Sequence, residues 1–256
     1  MNRVQPLSQG LRAVRSLAGR RSALVFDLDV ALAPIVLNRG DARVPASTAM
    51  RLRSLSARWP IAVLTGRSVQ DAKKRLGFEP HALFGNHGAE RHGSVARHCG
   101  RTLDPVRAAL ANRAAEIQQI GIELEDKGLS LALHYRRSLD PEAACVALDE
   151  LLHSHRPGLR IEQGHCVVNL MPANAPDKGD ALRSLLDEWS LECALVVGDD
   201  SNDEPAFAAA PAGSVSVRIG PATRPTTAQF GLELQTEVDA LLDLLLRCRP
   251  ATRVST

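Results

Sequence analysis

Asp27-Leu28-Asp29 sets two carboxylates two positions apart, and three more crowd into Gly198-Asp199-Asp200-Ser201-Asn202-Asp203. On an extended segment residues i and i+2 point the same way, so Asp27 and Asp29 can aim at one place. Carboxylates brought this close repel one another unless a cation lies among them. Hard oxygen donors with no His or Cys at hand select Mg²⁺. Lys178, at the head of a helical stretch, adds a fixed positive charge and helix N–H groups suited to phosphate. Thr65-Gly66-Arg67-Ser68 and Asn86-His87 bring further polar groups. Each fragment also has a plainer use: a capped turn, a helix N-cap, an acidic first helical turn favoured by the dipole, a solvated lysine. Their combination is what points to a divalent ion and a phosphate held in one crevice.

Such a crevice needs elements that deliver these residues together. Ala23 to Phe26 is a short apolar run that ends on Asp27, which reads as a buried strand. Ile61 to Leu64 delivers Thr65, His81 to Phe84 delivers Asn86 and His87, and Ala194 to Val197 delivers Asp199. Helical patterns lie between them, the first opened by Pro45. Strand and helix alternating in this way predict a parallel sheet with helices on both faces, and such a sheet binds ligands outside the carboxyl ends of its strands. The middle of the chain differs. Helical spacing from Asp104 to Ile120 and Pro141 to His153 alternates with strand pairs at Glu123 to Arg136 and Leu159 to Leu170. This predicts a small inserted α+β unit, with a basic segment over residues 1–20, a core over 21–98 and 174–256, and the insert over 99–173.

Composition narrows the classes further. With 256 residues, 31 Lys plus Arg against 29 Asp plus Glu and only 3% aromatics, neither a phosphate backbone nor stacked bases is an expected partner. No apolar stretch is long enough for a membrane span. The five cysteines form no CxxC pair, which fits thiols in a reducing, cytoplasmic setting better than a disulfide frame or zinc site. Arg3, Arg12, Arg15, Arg20 and Arg21 with Leu7, Leu11, Val14 and Leu17 predict an amphipathic N-terminal helix. It reads as a helix packed on its own domain, or as a transit or surface-binding segment. The sequence names no oligomeric state.

Asp27-Leu28-Asp29, Thr65-Gly66-Arg67, Lys178 and Gly198-Asp199-Asp200-Ser201-Asn202-Asp203-Glu204 resemble, in order, the four motifs of the haloacid-dehalogenase superfamily of phosphatases. Leu32-Ala33-Pro34, Gly85-Asn86-His87-Gly88-Ala89-Glu90, Glu125-Asp126-Lys127-Gly128, His134-Tyr135-Arg136 and Lys178-Gly179 are similar, more narrowly, to the trehalose-6-phosphate phosphatases. The resemblance implies a Rossmann-like α/β core with an α+β cap and a small sugar phosphate as substrate. It makes Asp27 the nucleophile and Asp29 the general acid and base. It gives Mg²⁺ to Asp27, the Asp29 backbone carbonyl and Asp199, and phosphate to Thr65, Gly66 and Lys178. Asp200 and Asp203 would support these groups from behind. Arg67, Glu125, Lys127, His134 and Asn169 would bind substrate, Glu125 and Lys127 facing one way on a strand, while His87 is either a sugar contact or a hinge.

Two departures stand out. Val30 and Ala31 follow the second Asp where the superfamily usually has Gly-Thr. A β-branched residue is strained at positive φ, so the expectation is an altered loop with Val30 in an ordinary conformation. Asn169 stands where the branch commonly has Glu, and Met171 where Arg is common, so an amide with one acceptor oxygen replaces a carboxylate with two. No reacting group is lost. The leading expectation is hydrolysis of trehalose 6-phosphate; the alternatives are another sugar phosphate, or a weakly active or inactive sugar-phosphate-binding regulator.

Overall fold

Ser22–Phe26 is apolar at nearly every position because both faces of its strand are covered, as a central parallel strand requires. Leu24 and Phe26 enter one core with Leu195, Val197 and Ile61, while Ala23 and Val25 enter another with Ala194, Val196 and Ala62. In the computed structural model, residues 4–36, 39–91, 94–95, 101–164, 166–221, 223 and 225–248 are described. Arg3, Cys99, the expected boundary at 98/99 and the tail from 251 lie outside them.

The chain divides into two compact units, Met1–Gly93 with Pro176–Thr256, and Ser94–Ala175. In chain order the elements begin with β1 (Gln5–Pro6), α1 (Leu7–Ser16), β2 (Ser22–Phe26), α2 (Ala46–Ser56), β3 (Ile61–Leu64) and α3 (Val69–Leu76). Next come β4 (Ala82–Gly85), β5 (Glu90–Arg91), β6 (Ser94–Val95), α4 (Asp104–Asn112), α5 (Ala114–Gln119), β7 (Glu123–Asp126) and β8 (Leu131–His134). Then follow α6 (Pro141–Leu152), β9 (Leu159–Gly164), β10 (Val167–Pro172), α7 (Lys178–Glu188) and β11 (Cys193–Gly198). The last are α8 (Glu204–Ala209), β12 (Val215–Ile219), β13 (Phe230–Leu232) and α9 (Glu237–Arg247).

In the first unit the strand order is β1-β13-β12-β11-β2-β3-β4-β5, parallel except where β5 turns back on β4. The strands β11, β2, β3 and β4 thus lie side by side, so the residues that follow them meet at one sheet edge. Helix α1 packs on this unit through Leu7, Gly10 and Val14. Among the described residues no helix is long and apolar enough to cross a membrane.

In the second unit β7-β8-β10-β9 form an antiparallel sheet. Leu131, Leu133, Val168 and Leu170 give one face to a core shared with Val106, Leu110 and Leu148 of α4 and α6. The helical spacing from Asp104 to Ile120 is divided into α4 and α5 at Arg113, whose φ of −113° and ψ of 19° lie off the helix. Periodicity carried across that break because both pieces still bury one stripe.

Candidate active site

Phe26 closes β2, and the Asp27 N–H prolongs the ladder by donating to the Val197 carbonyl at 2.8 Å. Asp27 is therefore fixed at the sheet edge, and only 7% exposed. Lys178 opens α7 behind an Asp177 cap, where Asp177 and Asp180 each accept the other's backbone N–H. Its ammonium, 1% exposed, donates to Asp27 Oδ1 and to Asp203 Oδ1, both at 2.6 Å. The other oxygen of Asp203 accepts the backbone N–H groups of Asp199 at 2.9 Å and Asp200 at 3.1 Å. Asp200 itself caps the turn that follows by accepting the Ser201 N–H.

Carboxylate oxygens of Asp27, Asp199 and Asp203 lie within 4.8 Å of one another, and the Lys178 ammonium binds two of the three acids. Burial works against the charge on Lys178, yet Asp203 and Asp27 together hold its pKa above the usual lysine range. Burial, with repulsion from Asp203 and Asp29 and with Lys178 opposing, pushes Asp27 up to about 7. Asp199 is driven well above the carboxylate range by burial, then by Asp27, Asp203 and Asp200. An all-oxygen donor set of this kind could hold a metal ion, with Asp27 and Asp199 the more available to it, since Asp203 already binds Lys178 and two amides. The Asp29 carbonyl, expected as a further ligand, accepts the Ala31 N–H at 2.7 Å.

The Asp29 carboxylate meets Arg67 through two bonds of 2.7 Å, a bidentate pair. Arg67 is buried, and its Nη1 also donates to Asp71 at 2.8 Å. Asp71 in turn takes two bonds from Arg75, whose Nη1 reaches the carbonyls of Gly40 and Ala42. Burial acts upward on Asp71, but Arg75 and Arg67 hold it far below the usual carboxylate range. Arg67, expected at the substrate, is the partner of Asp29. The motif itself gave no sign of this, although Arg67, Asp71 and Arg75 follow one another at four-residue spacing and carried the signal.

Val30 is the clearest departure from expectation. The chain holds it at φ +64°, in the left-handed region, where an ordinary conformation was expected. Hydrogen bonds from Val30 N–H to the Ala33 carbonyl and from Ala31 N–H to Asp29 close a tight turn, and the buried Ala31, Leu32 and Ala33 pin it. The backbone keeps the turn that Gly would favour, and the side chain takes the strain.

Thr65 is fully buried and its hydroxyl accepts the Arg67 N–H at 3.2 Å. Beside it, Asn86, His87 and Gly88 run consecutively at φ 48°, 59° and 109°. The His87 ring, 3% exposed, packs so closely on Gly66 that a Cβ there would lie 2.6 Å from it. Of the two readings, sugar contact or hinge, the packing on Gly66 places His87 within the loop between β4 and β5. A side chain at Gly88 would run into the Asp177 carbonyl, so this loop fits between Thr65-Gly66-Arg67 and the start of α7. Glu90 secures it, one oxygen accepting both the Val69 N–H and the Asn86 amide. Arg218, a buried charge in an apolar strand, donates to the Asp199 carbonyl at 3.2 Å. Glu90 was quoted in sequence only as the end of a motif and Arg218 not at all, though an Arg within Val-Ser-Val-Arg-Ile was a visible anomaly.

Glu125, Lys127, His134 and Asn169 belong to the second unit. Glu125 on β7 lies 3.0 Å from His134 on β8. Asn169, 6% exposed, sits opposite Ala132 on β8. Lys127 does not share a strand with Glu125: β7 ends at Asp126, and the Lys127 N–H donates to the Ser130 carbonyl across a turn. Arg107 holds that turn by binding Asp126 and the Gly128 carbonyl.

The profile of the family described as Trehalose-phosphatase matches residues 25–234. A trehalose-phosphate phosphatase of Mycobacterium bovis is 31% identical over 263 residues, covering 96% of this chain and 67% of that protein. An uncharacterized glycosyl hydrolase of Mycobacterium tuberculosis is 33% identical over 206 residues, covering 75% of this chain, which spans only 16% of that much longer protein. The C-terminal domain of the Candida albicans trehalose-6-phosphate phosphatase superposes with a TM-score of 0.81 over 97% of this chain and all of that one, at 21% identity. At that identity the likeness carries the fold.

Proposed function

This chain belongs to the trehalose-phosphatase family, and on that premise we propose that it is a phosphoric monoester hydrolase that converts trehalose 6-phosphate to trehalose and phosphate with Mg²⁺. The observation that carries the reading is the buried Asp27–Lys178–Asp203 group with Asp199 beside it.

Asp27 presents one carboxylate oxygen to phosphorus while Lys178 holds the other, so its attacking face is fixed by a hydrogen bond rather than by a mobile rotamer. The P–O bond to the sugar breaks as Asp29 gives its proton to the leaving oxygen, leaving an aspartyl-phosphate on Asp27. Asp29 then takes a proton from water, whose oxygen attacks phosphorus and releases inorganic phosphate, restoring Asp27. Arg67 sets the direction of the Asp29 carboxylate through both transfers. Lys178, the Gly66 N–H and Thr65 are assigned to the nonbridging oxygens, where oriented donors lower the barrier most. Mg²⁺ held by Asp27 and Asp199 would neutralise charge between the nucleophile and the phosphate. Glu125, Lys127, His134 and Asn169 are assigned to the sugar, and a cytoplasmic setting follows from the expectation of reduced cysteines.

Release of phosphate from a panel of sugar phosphates, with Mg²⁺ and with chelator, tests the proposal. Trehalose 6-phosphate should turn over fastest and only with the metal. Asn169, with one acceptor where two were expected, favours a second reading in which another sugar phosphate is preferred. Turnover of that other substrate alone would select it.

A further inference from the structure

The sheet of the second unit has an apolar face, built from Leu131, Leu133, Val168, Leu170 and Ile161, and an opposite face that carries its polar groups. Strand register identifies two charged residues on that second face which the sequence motifs passed over. β9 pairs antiparallel with β10, so Glu162 stands opposite Asn169 and Arg160 opposite Met171. Directly opposed residues share a face, with Cβ atoms roughly 5 Å apart. Continuing through β8 and β7, the row reads Glu162, Asn169, Ala132, Glu125.

Arg160 Nε lies 3.1 Å from Glu162 Oε1, and the two side chains are 24% and 18% exposed. Arg160 is itself anchored, Nη1 donating to the Ala175 carbonyl at 2.7 Å and Nη2 to Met171 Sδ at 3.5 Å. Long charged side chains are not drawn in this far merely to decorate a rim. The carboxylate and guanidinium missing from positions 169 and 171 of β10 are both present on the adjoining strand, directly across and in the same order along the face.

We propose that Glu162 is a specificity-determining residue that supplies the sugar-hydroxyl acceptor Asn169 cannot provide in full, and that Arg160 is its positioning residue. The proposal rests on the sugar-phosphate phosphatase reading. A carboxylate offers two acceptor oxygens where the amide offers one. Glu125 and Glu162 lie three strand intervals apart, roughly 14 Å along the row. A span of that order suits two linked sugar rings, with the small Ala132 leaving room between them.

The test compares kcat and KM on trehalose 6-phosphate with hydrolysis of p-nitrophenyl phosphate. Glu162→Gln should raise KM for the sugar substrate about tenfold, the loss expected for a charge-assisted hydrogen bond, while the aryl substrate stays within about twofold. Adding Asn169→Glu to Glu162→Gln should recover most of that loss. Arg160→Met should raise the sugar KM alone, yet add little on top of Glu162→Gln. An unchanged ratio of the two substrates in Glu162→Gln, or an equal loss on both, overturns the proposal. Failure of the wild type to hydrolyse trehalose 6-phosphate strikes the substrate reading instead. The same ratio is then taken with the fastest sugar phosphate of the panel, and indifference to Glu162 overturns the proposal there too.

Discussion

Replacing Val30 by Gly and by Ala separates backbone strain from side-chain packing at the turn that carries Asp29. Val30 is held at φ +64° and half-buried against the core. Both replacements lose the same packing apart from one methyl group, so their difference reports the backbone. At an ordinary position Gly is less stable than Ala by about 0.5–1 kcal/mol, because the unfolded chain gains freedom. In the left-handed region a Cβ costs about 1–2 kcal/mol, which Gly alone escapes. The balance reverses the usual order: Val30→Gly should be the more stable of the two by about 0.5–1 kcal/mol. Urea unfolding at 25 °C, with equal slopes for both variants, reads this difference directly. Phosphate release by Val30→Gly should stay close to wild type, since the turn needs no rearrangement. If Val30→Ala proves the more stable variant, the strain argument is wrong.

Asp27→Asn should lower turnover about a thousandfold or more while substrate binding persists, and near-normal phosphate release would remove Asp27 as nucleophile. Because the folded pKa of Asp27 is raised to about 7, its neutral form contributes stability that is fully present below about pH 4 and lost as pH rises through 7. Chelator-treated protein should therefore unfold more easily at pH 8 than at pH 5, and Mg²⁺ should erase the difference; a midpoint that climbs with pH without metal contradicts this. Asp71→Asn should destabilise by about 1–3 kcal/mol, discounted for its partial exposure, because the buried Arg67 loses a partner. It should also slow cleavage of poor leaving groups more than good ones, as Asp29 loses its support; equal slowing of both would confine Asp71 to structure.

Asp27, Thr65, Lys178 and Asp199 were legible in the sequence because each follows an apolar run or opens a helix, and alternating strands and helices allow few ways to arrange such ends. Asp203 was legible as an acid near the site, while its grip on two backbone amides was not. The reading of Glu125 with Lys127 failed at one residue, since a turn ends the strand before the second side chain can align. The partners of Arg67 were hidden for a related reason: a guanidinium in a motif shows its charge but not which carboxylates close around it.

Local pattern alone therefore determined which residues stand at strand ends and the overall α/β class, because burial of alternating side chains is written into periodicity. The tertiary structure decided the partners. It paired Arg67 with Asp29 and Asp71, forced Val30 left-handed, buried His87 on Gly66 and set Glu162 across from Asn169. Those outcomes depend on strand register and on contacts between distant segments, where a shift of a single residue turns a side chain to the other face.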